Sequence, residues 1–326
     1  MNADDPAVHA MPYQDRKTGL TVFGALQIVL GGFCALALLC MGLSTLLPKP
    51  AGAETSARMM IPGLFVYVVL AAWFITVGIG SIMARRWARA LILVASWLWL
   101  VCGVFGLVFL VMIRDAMTKT MSANGQVSAT AVSVIMAIML IFLAIFYVII
   151  PGVLVLFYGS QHVRATCERL DPVVRWTDRC PLPVLAVSLM SGSSLVFVPV
   201  SLGTYGWPVP VFGTIVYGAP GLAIVAASML LLAYISWGVY RLDLRAWWCA
   251  VALATVWCLS SGMTFTHTRL VKFYDNMELP PKQMESVRRM AESMDPWMVP
   301  MCALWLLVLL GYLLYIRRFF QKSAAL

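Results

Sequence analysis

Eight long apolar runs constrain this chain more than any other feature of its sequence. Each has about 20 or more mostly apolar residues, the length that an α-helix needs to cross the hydrocarbon core of a bilayer. Only 11% of the residues are charged, whereas a water-facing domain needs roughly 25%. The sequence therefore predicts an all-α integral membrane protein with about eight transmembrane helices, near residues 19–47, 60–84, 88–113, 130–158, 182–202, 214–239, 246–266 and 297–316.

The lysines and arginines are spread over the ends of these runs and form no single basic surface. Despite the net charge of +9, this distribution excludes a nucleic-acid partner and instead reports orientation, because cytoplasmic loops of membrane proteins are enriched in lysine and arginine. The connections on the side of both termini carry the larger share. We therefore predict a multi-pass protein of the plasma (inner) membrane with both termini in the cytoplasm and with membrane lipids as its constant partners.

Two similar segments indicate an internal repeat. The segment ARRWARALILVASWLW at 84–99 resembles LRAWWCAVALATVWCL at 244–259, and PGL occurs at both 62–64 and 220–222. Because four crossings return the chain to its starting side, two four-helix units would have parallel topology. The predicted domains are a cytoplasmic N-terminal segment, a first repeat, a cytoplasmic linker, and a second repeat with an outer amphipathic helix near 281–295; their ranges are 1–18, 19–163, 164–181 and 182–320.

The first similar segment opens with a cluster of arginines around a tryptophan. The cluster stops where the apolar run begins, so it does not resemble a voltage sensor, which carries arginines inside the bilayer. No glycine-rich phosphate loop accompanies it. We interpret the cluster and its second copy as contacts to the membrane interface, with an anionic-lipid or partner site as the alternative; the residues are Arg85, Arg86, Arg89 and Trp87, then Arg245 and Trp247.

A methionine-rich stripe precedes the last apolar run. Apolar residues recur there every three or four positions, as expected for one face of an amphipathic helix. Pro281 is placed to begin this helix and Pro296 to end it. The stripe is predicted to contact a partner on the outer side or to cover the protein's own helix bundle, and its members are Met284, Val287, Met290 and Met294.

The outer connection before the sixth run, GTYGWPVPVFG at 203–213, is uncharged and aromatic. Tryptophan and tyrosine are enriched where membrane meets water. We therefore expect an interfacial loop with Tyr205 and Trp207 in an aromatic belt.

The sequence offers no catalytic constellation. It has only three histidines, and no carboxylate or lysine lies near the middle of a predicted span. We therefore predict no enzyme activity, no cofactor and no metal site. The predicted function is a membrane scaffold or an accessory subunit that binds other membrane protein subunits. The alternative is a permease for a neutral or amphiphilic solute, with a path between the two repeats lined by Gln27, Ser96, Ser188, Ser191 and Thr255.

Overall fold

The computed structural model describes residues 14–46, 57–122, 129–204, 206–274 and 281–323. Within them the chain forms ten α-helices, a short β-hairpin, two 3-10 turns and one π-helical turn at Ile145–Ile149. The α-helices are α1 (Lys17–Leu46), α2 (Ala57–Ile82), α3 (Arg86–Ser122), α4 (Ala129–Ala144), α5 (Ile150–Gly159), α6 (Gln161–Leu170), α7 (Leu182–Thr204), α8 (Gly218–Tyr240), α9 (Leu244–His267) and α10 (Pro281–Ser323).

Eight helical stretches in this part of the chain are long and apolar enough to cross a membrane, which confirms the predicted all-α, multi-pass architecture. The fourth stretch runs from α4 through the π-helical turn into α5. The stretches are Lys17–Leu43, Ile61–Ile82, Arg86–Arg114, Thr130–Gly159, Leu182–Gly203, Gly218–Tyr240, Leu244–His267 and Val287–Phe320.

The described residues divide into two compact units. Unit 1 contains 14–46, 66–100 and 149–179. Unit 2 contains 57–65, 101–122, 129–148, 180–204, 206–274 and 281–323. The limits of the two repeats stay a prediction.

In unit 1, α1 and α2 approach each other through glycines. A Cβ added at Gly24 would lie 2.7 Å from the Gly78 carbonyl oxygen, and one at Gly78 would lie 2.8 Å from the Gly24 carbonyl oxygen. Nearby, the hydroxyl of Ser81 donates to the Leu20 carbonyl and lies 2.7 Å from the Tyr158 hydroxyl. Small residues at such a crossing allow close helix packing in lipid, where the hydrophobic effect adds little between helices.

In unit 2, α7 and α8 are joined by a reciprocal pair of serines. The Ser188 hydroxyl donates to the Ser236 carbonyl at 2.7 Å, and the Ser236 hydroxyl donates to the Ser188 carbonyl at 2.9 Å. A buried apolar cluster lies beside them, where α7 to α10 meet, and Trp247 is its largest member. The indole N–H of Trp247 donates to the Leu313 carbonyl at 2.8 Å, so this buried donor is satisfied.

The α2–α3 and α8–α9 turns have the same geometry. Ala84 and Leu242 adopt positive φ angles of 51° and 61°. The N–H of the next residue donates to the carbonyl of a glycine, Gly80 in the first turn and Gly238 in the second, at 2.8 and 2.9 Å. Because the two turns are superimposed by this geometry, Arg85 and Asp243 occupy equivalent positions. The sequence match instead pairs Arg85 with Arg245, so the two alignments differ by two residues.

The loop predicted before α8 contains a β-hairpin. Strands β1 (Val209–Val211) and β2 (Thr214–Val216) pair antiparallel, and the turn residues Phe212 and Gly213 have φ angles of 38° and 106°. Positive φ at both positions is typical of the tight turns whose twist matches that of paired strands. Three side chains fix the hairpin by hydrogen bonds to its backbone: Ser260 and Thr264 of α9, and Thr268 directly after α9. Tyr205 lies outside the described residues.

The amphipathic helix predicted near 281–295 and the last span are one continuous helix. The prediction that Pro296 ends the outer helix is wrong, because α10 continues through Pro296 and Pro300 to Ser323. Each proline removes one backbone donor, but unwinding this apolar segment would leave many more backbone groups unsatisfied in lipid. The carboxylate of Asp295 accepts the Leu270 N–H at 2.7 Å and fixes this part of α10 to the segment after α9.

Candidate functional site

Two arginines of the predicted cluster, Arg85 and Arg86, contact the buried carboxylate of Asp171. Asp171 caps the C-terminal end of α6, and only 2% of its side chain is exposed. The Arg175 guanidinium donates to both carboxylate oxygens, at 3.1 and 3.3 Å, and the Arg85 guanidinium lies 3.5 Å from one of them. The Arg86 backbone N–H donates to the other at 3.4 Å. We call these four residues the Asp171 cluster.

The arginine side chains are used mainly to hold the connection after α5. The Arg86 Nε–H donates to the Asp171 carbonyl at 2.6 Å, and a terminal N–H of Arg86 donates to the Glu168 carbonyl at 3.3 Å. One turn later, the Arg89 Nε–H donates to the Tyr158 carbonyl at 3.0 Å. The cluster that the sequence suggests for lipid contact therefore stabilises unit 1 from within.

Charge in the Asp171 cluster is fixed at neutral pH. Burial alone would raise the pKa of the Asp171 carboxyl, but the hydrogen bonds from Arg175 and Arg86 and the charges of Arg175 and Arg85 outweigh burial and lower that pKa. Burial also raises the pKa of the nearby Cys167 thiol to about 11. Asp171 is thus ionised and Cys167 protonated at neutral pH.

The segment predicted as a linker is folded against α1. Its first residues, 164–170, belong to α6, and the Thr166 hydroxyl there accepts the Arg16 N–H at 3.1 Å. Just before the segment, His162 Nδ1 accepts the Gln14 N–H at 3.4 Å. These contacts and the Asp171 cluster make the segment up to Arg179 part of unit 1.

The tryptophans and Arg245 occupy different environments. Trp87 is half-buried and packs against α2, where a Cβ added at Gly80 would lie 2.9 Å from the Trp87 ring. Trp247 is 1% exposed, so it is a core side chain rather than the predicted interface side chain. Arg245 is exposed, and its backbone N–H is capped by Asp243.

The methionine stripe forms one wall of an apolar groove in unit 2. Met290 is 54% exposed, while Ala291 takes the buried position of the stripe; Met284, Val287 and Met294 are half-buried. The groove has a volume of about 350 Å³. We call it the methionine groove, and it is lined by Met290 and Met294 of α10, Leu143 and Tyr147 of the α4 region, and Gly103 and Gly106 with other residues of α3.

A larger cavity of about 510 Å³ lies within unit 2 among α7, α8, α9 and α10. Most of its lining is apolar, and the hydroxyls of Ser194, Ser201 and Ser228 donate to carbonyls of their own helices. We call it the α7–α10 cavity. Local sequence patterns give no sign of it, because its walls come from four helices far apart in the chain.

The side chains predicted to line a path are not assembled into one site. Ser191 lines the α7–α10 cavity. Ser188 is engaged with Ser236, and the Thr255 hydroxyl donates to the Val251 carbonyl of its own helix. Gln27 and Ser96 are buried in unit 1.

No arrangement that could hold a metal ion, such as three or more close histidines, cysteines or carboxylates, occurs among the described residues. In comparisons with known proteins, no family model, no curated protein and no solved structure matches the chain.

Proposed function

We propose that the protein is a non-enzymatic scaffold or accessory subunit of a membrane complex, and that it holds a transmembrane helix of a partner subunit in the methionine groove. In this proposal the chain lies in the plasma (inner) membrane with both termini in the cytoplasm. Its two parallel four-helix repeats would present the groove on the outer side.

One observation carries this proposal: the floor of the groove is an uncovered glycine. A Cβ added at Gly106 would meet no atom within 4 Å, although this glycine lies in the middle of α3. Glycines on an open helix face allow another helix to approach closely in lipid. Met290 and Met294 form the wall, and methionine side chains adapt to varied apolar partners. An apolar helix fits this combination better than a charged or polar segment does.

The test compares two glycine substitutions of equal size. Gly106→Leu fills the groove, whereas Gly311→Leu places the same side chain on α10 where a Cβ also meets nothing within 4 Å. Both should fold, because replacing a helical glycine gains up to about 1 kcal/mol of helix propensity. We expect a stoichiometric partner in native membranes to be lost with Gly106→Leu and kept with Gly311→Leu. A photoreactive residue at position 290 should cross-link to that same partner.

Equal partner recovery from both variants, together with no discrete cross-link from position 290, would remove the support for a scaffold role at this groove.

A permease for a neutral or amphiphilic solute is the second candidate, and the α7–α10 cavity is the observation that favours it. It has less support, because only Ser191 of the five expected path residues lines that cavity. Solute uptake into vesicles containing the purified protein, abolished by filling the cavity with Ser191→Leu, would favour transport over the scaffold role.

The matching turns at Ala84 and Leu242 support the proposed duplication, and the distribution of arginine and lysine supports the orientation. Orientation is tested by single cysteines at positions 124 and 286 in a background without the native cysteines. Both should react with an impermeant thiol reagent from outside intact cells. Reaction only after the membrane is opened would reverse the orientation.

A further inference from the structure

We propose that unit 2 binds one anionic phospholipid, with an acyl chain in the α7–α10 cavity and the phosphate at Arg318. The site is separate from the methionine groove and does not depend on the proposed scaffold role.

The cavity has the dimensions and chemistry of an acyl-chain site. On α7 its lining extends from Val187 to Leu202, which at 1.5 Å per residue is about 22 Å. One leaflet accounts for half of the hydrocarbon core, so an acyl chain needs about 15 Å. Three of the four serine hydroxyls of the lining, those of Ser194, Ser201 and Ser228, are hydrogen-bonded to their own helices, and the cavity surface is predominantly apolar.

An exposed strip of side chains leads from the cavity to a guanidinium. Tyr312 lines the cavity and is 37% exposed, and its ring stacks on Tyr315 at 6.3 Å between centroids. The Arg318 guanidinium lies 4.1 Å above the Tyr315 ring and donates to the Tyr315 hydroxyl at 2.6 Å. Arg318 belongs to the last turn of the final candidate span, and arginines near the ends of spans can extend to the level of the lipid headgroups.

The charge of Arg318 is available for an anion. Within the described parts of the chain, Arg318 has aromatic and hydroxyl contacts but no ion pair with a carboxylate, unlike Arg85 and Arg175 in the Asp171 cluster. The adjacent Arg317 lies over the rings of Trp247 and Trp248, at 5.3 and 5.8 Å, and adds a second positive charge. Arginine binds phosphate by paired, charge-assisted hydrogen bonds.

The experiment measures lipid binding to the purified full chain by native mass spectrometry. Its probes are phosphatidylglycerol, phosphatidylcholine with the same acyl chains, and glycerol phosphate without acyl chains. The wild type should retain one phosphatidylglycerol with about tenfold preference over phosphatidylcholine, as expected for a charge-assisted contact. Glycerol phosphate should not compete at equal concentration, because it lacks the acyl chain.

Matched variants separate the two parts of the site. Arg318→Gln should abolish the tenfold preference, whereas Arg241→Gln should not, although Arg241 also lies over an aromatic ring, that of Trp237, at 4.5 Å. Ser194→Leu fills the cavity and should weaken both lipids. Ser193→Leu is its control, because both serines donate to the Met190 carbonyl but only Ser194 lines the cavity.

Three results would overturn the proposal. Equal effects of Arg318→Gln and Arg241→Gln would indicate diffuse surface charge. Equal effects of Ser194→Leu and Ser193→Leu would place the acyl chain outside the cavity, and Ser228→Leu on the α8 wall repeats this test if Ser194→Leu does not fold. Competition by glycerol phosphate would indicate a phosphate site that needs no lipid.

Discussion

Replacing Asp171 by asparagine tests the arrangement that holds unit 1 together. The substitution keeps the size of the side chain and removes its negative charge. One carboxylate oxygen becomes an NH2 group that faces only donors, namely the Arg175 and Arg85 guanidiniums and the Arg86 N–H. The two guanidiniums then remain beside each other without a counter-charge.

The cost can be estimated from the contacts. Removing one partner of a fully buried ion pair typically costs about 3–5 kcal/mol. Asp171 is buried, but the Arg85 and Arg175 side chains are 34% and 35% exposed, so water screens part of the loss. We therefore expect Asp171→Asn to lower the free energy of unfolding by about 2–3 kcal/mol.

The assay is reversible denaturant unfolding of the full chain in mixed micelles at neutral pH. Asp178→Asn is the control, since Asp178 is partly exposed, lies 4.0 Å from Arg86, and as asparagine can still accept the Arg175 N–H. This control should cost less than about 1 kcal/mol. A loss for Asp171→Asn no larger than that of the control would refute the stabilising role of the cluster.

The pH dependence gives an independent check with a definite sign. The pKa of Asp171 is lower in the folded chain than in the unfolded chain, where it is about 3.9. Its stabilisation is therefore complete above the unfolded pKa and is lost as the pH falls through the folded pKa. The difference between wild type and Asp171→Asn should be constant near neutral pH and shrink below about pH 4.

Three further substitutions or treatments test other contacts. Gly78→Ala should lower the free energy of unfolding by about 1–3 kcal/mol, measured in the same way, because its Cβ would lie 2.8 Å from the Gly24 carbonyl oxygen. Trp247→Phe should cost about 2 kcal/mol, because it removes core volume and the hydrogen bond to Leu313. Cys167 is buried and has a pKa of about 11, so maleimide at neutral pH should label it only after unfolding.

The two substitutions each have a control residue that should behave differently. Gly32→Ala should stabilise by up to about 1 kcal/mol, because a Cβ there meets nothing within 4 Å. Trp248→Phe should have little effect, since Trp248 is half exposed. The same sign for Gly78→Ala and Gly32→Ala, equal losses at Trp247 and Trp248, or rapid labelling of Cys167 in the folded chain would contradict the packing described here.

The spans follow from local sequence because a bilayer selects for uninterrupted apolar length. The Asp171 cluster does not, because Arg86 and its carboxylate partner are 85 residues apart and no local pattern joins them. Trp247, in the second of the two similar segments, shows a related limit of prediction from local sequence. Trp247 and Trp248 are adjacent in sequence, yet one is buried and the other exposed, and only the positions of α9 and α10 decide which.

The proline after the methionine stripe misled the sequence analysis for a physical reason. Proline ends helices in water, where a freed carbonyl can bind solvent. Pro296 and Pro300 lie within the last candidate span, where unwinding the helix would leave backbone groups without hydrogen-bond partners in lipid. The hairpin did leave a signal in the alternating VPVFGTIV at 209–216, whose central FG suits a tight turn. The methionine groove and the α7–α10 cavity depend on tertiary packing and leave no such signal. Tyr312, Tyr315 and Arg318, in contrast, recur every three residues on α10, which is a local pattern that the sequence does show.

The place where the chain can be divided follows from the folded segment between α5 and α7. In the connection between α5 and α7, residues up to Arg179 belong to unit 1, and Cys180 begins a stretch of unit 2. Fragments that end after residue 179 keep Asp171 and its arginines on one polypeptide, whereas a break at 165 would separate them. Co-expression of residues 1–179 with 180–326 is thus the split expected to reassemble. Because residues 57–65, 101–122 and 129–148 also belong to unit 2, that unit should form only when both fragments are present.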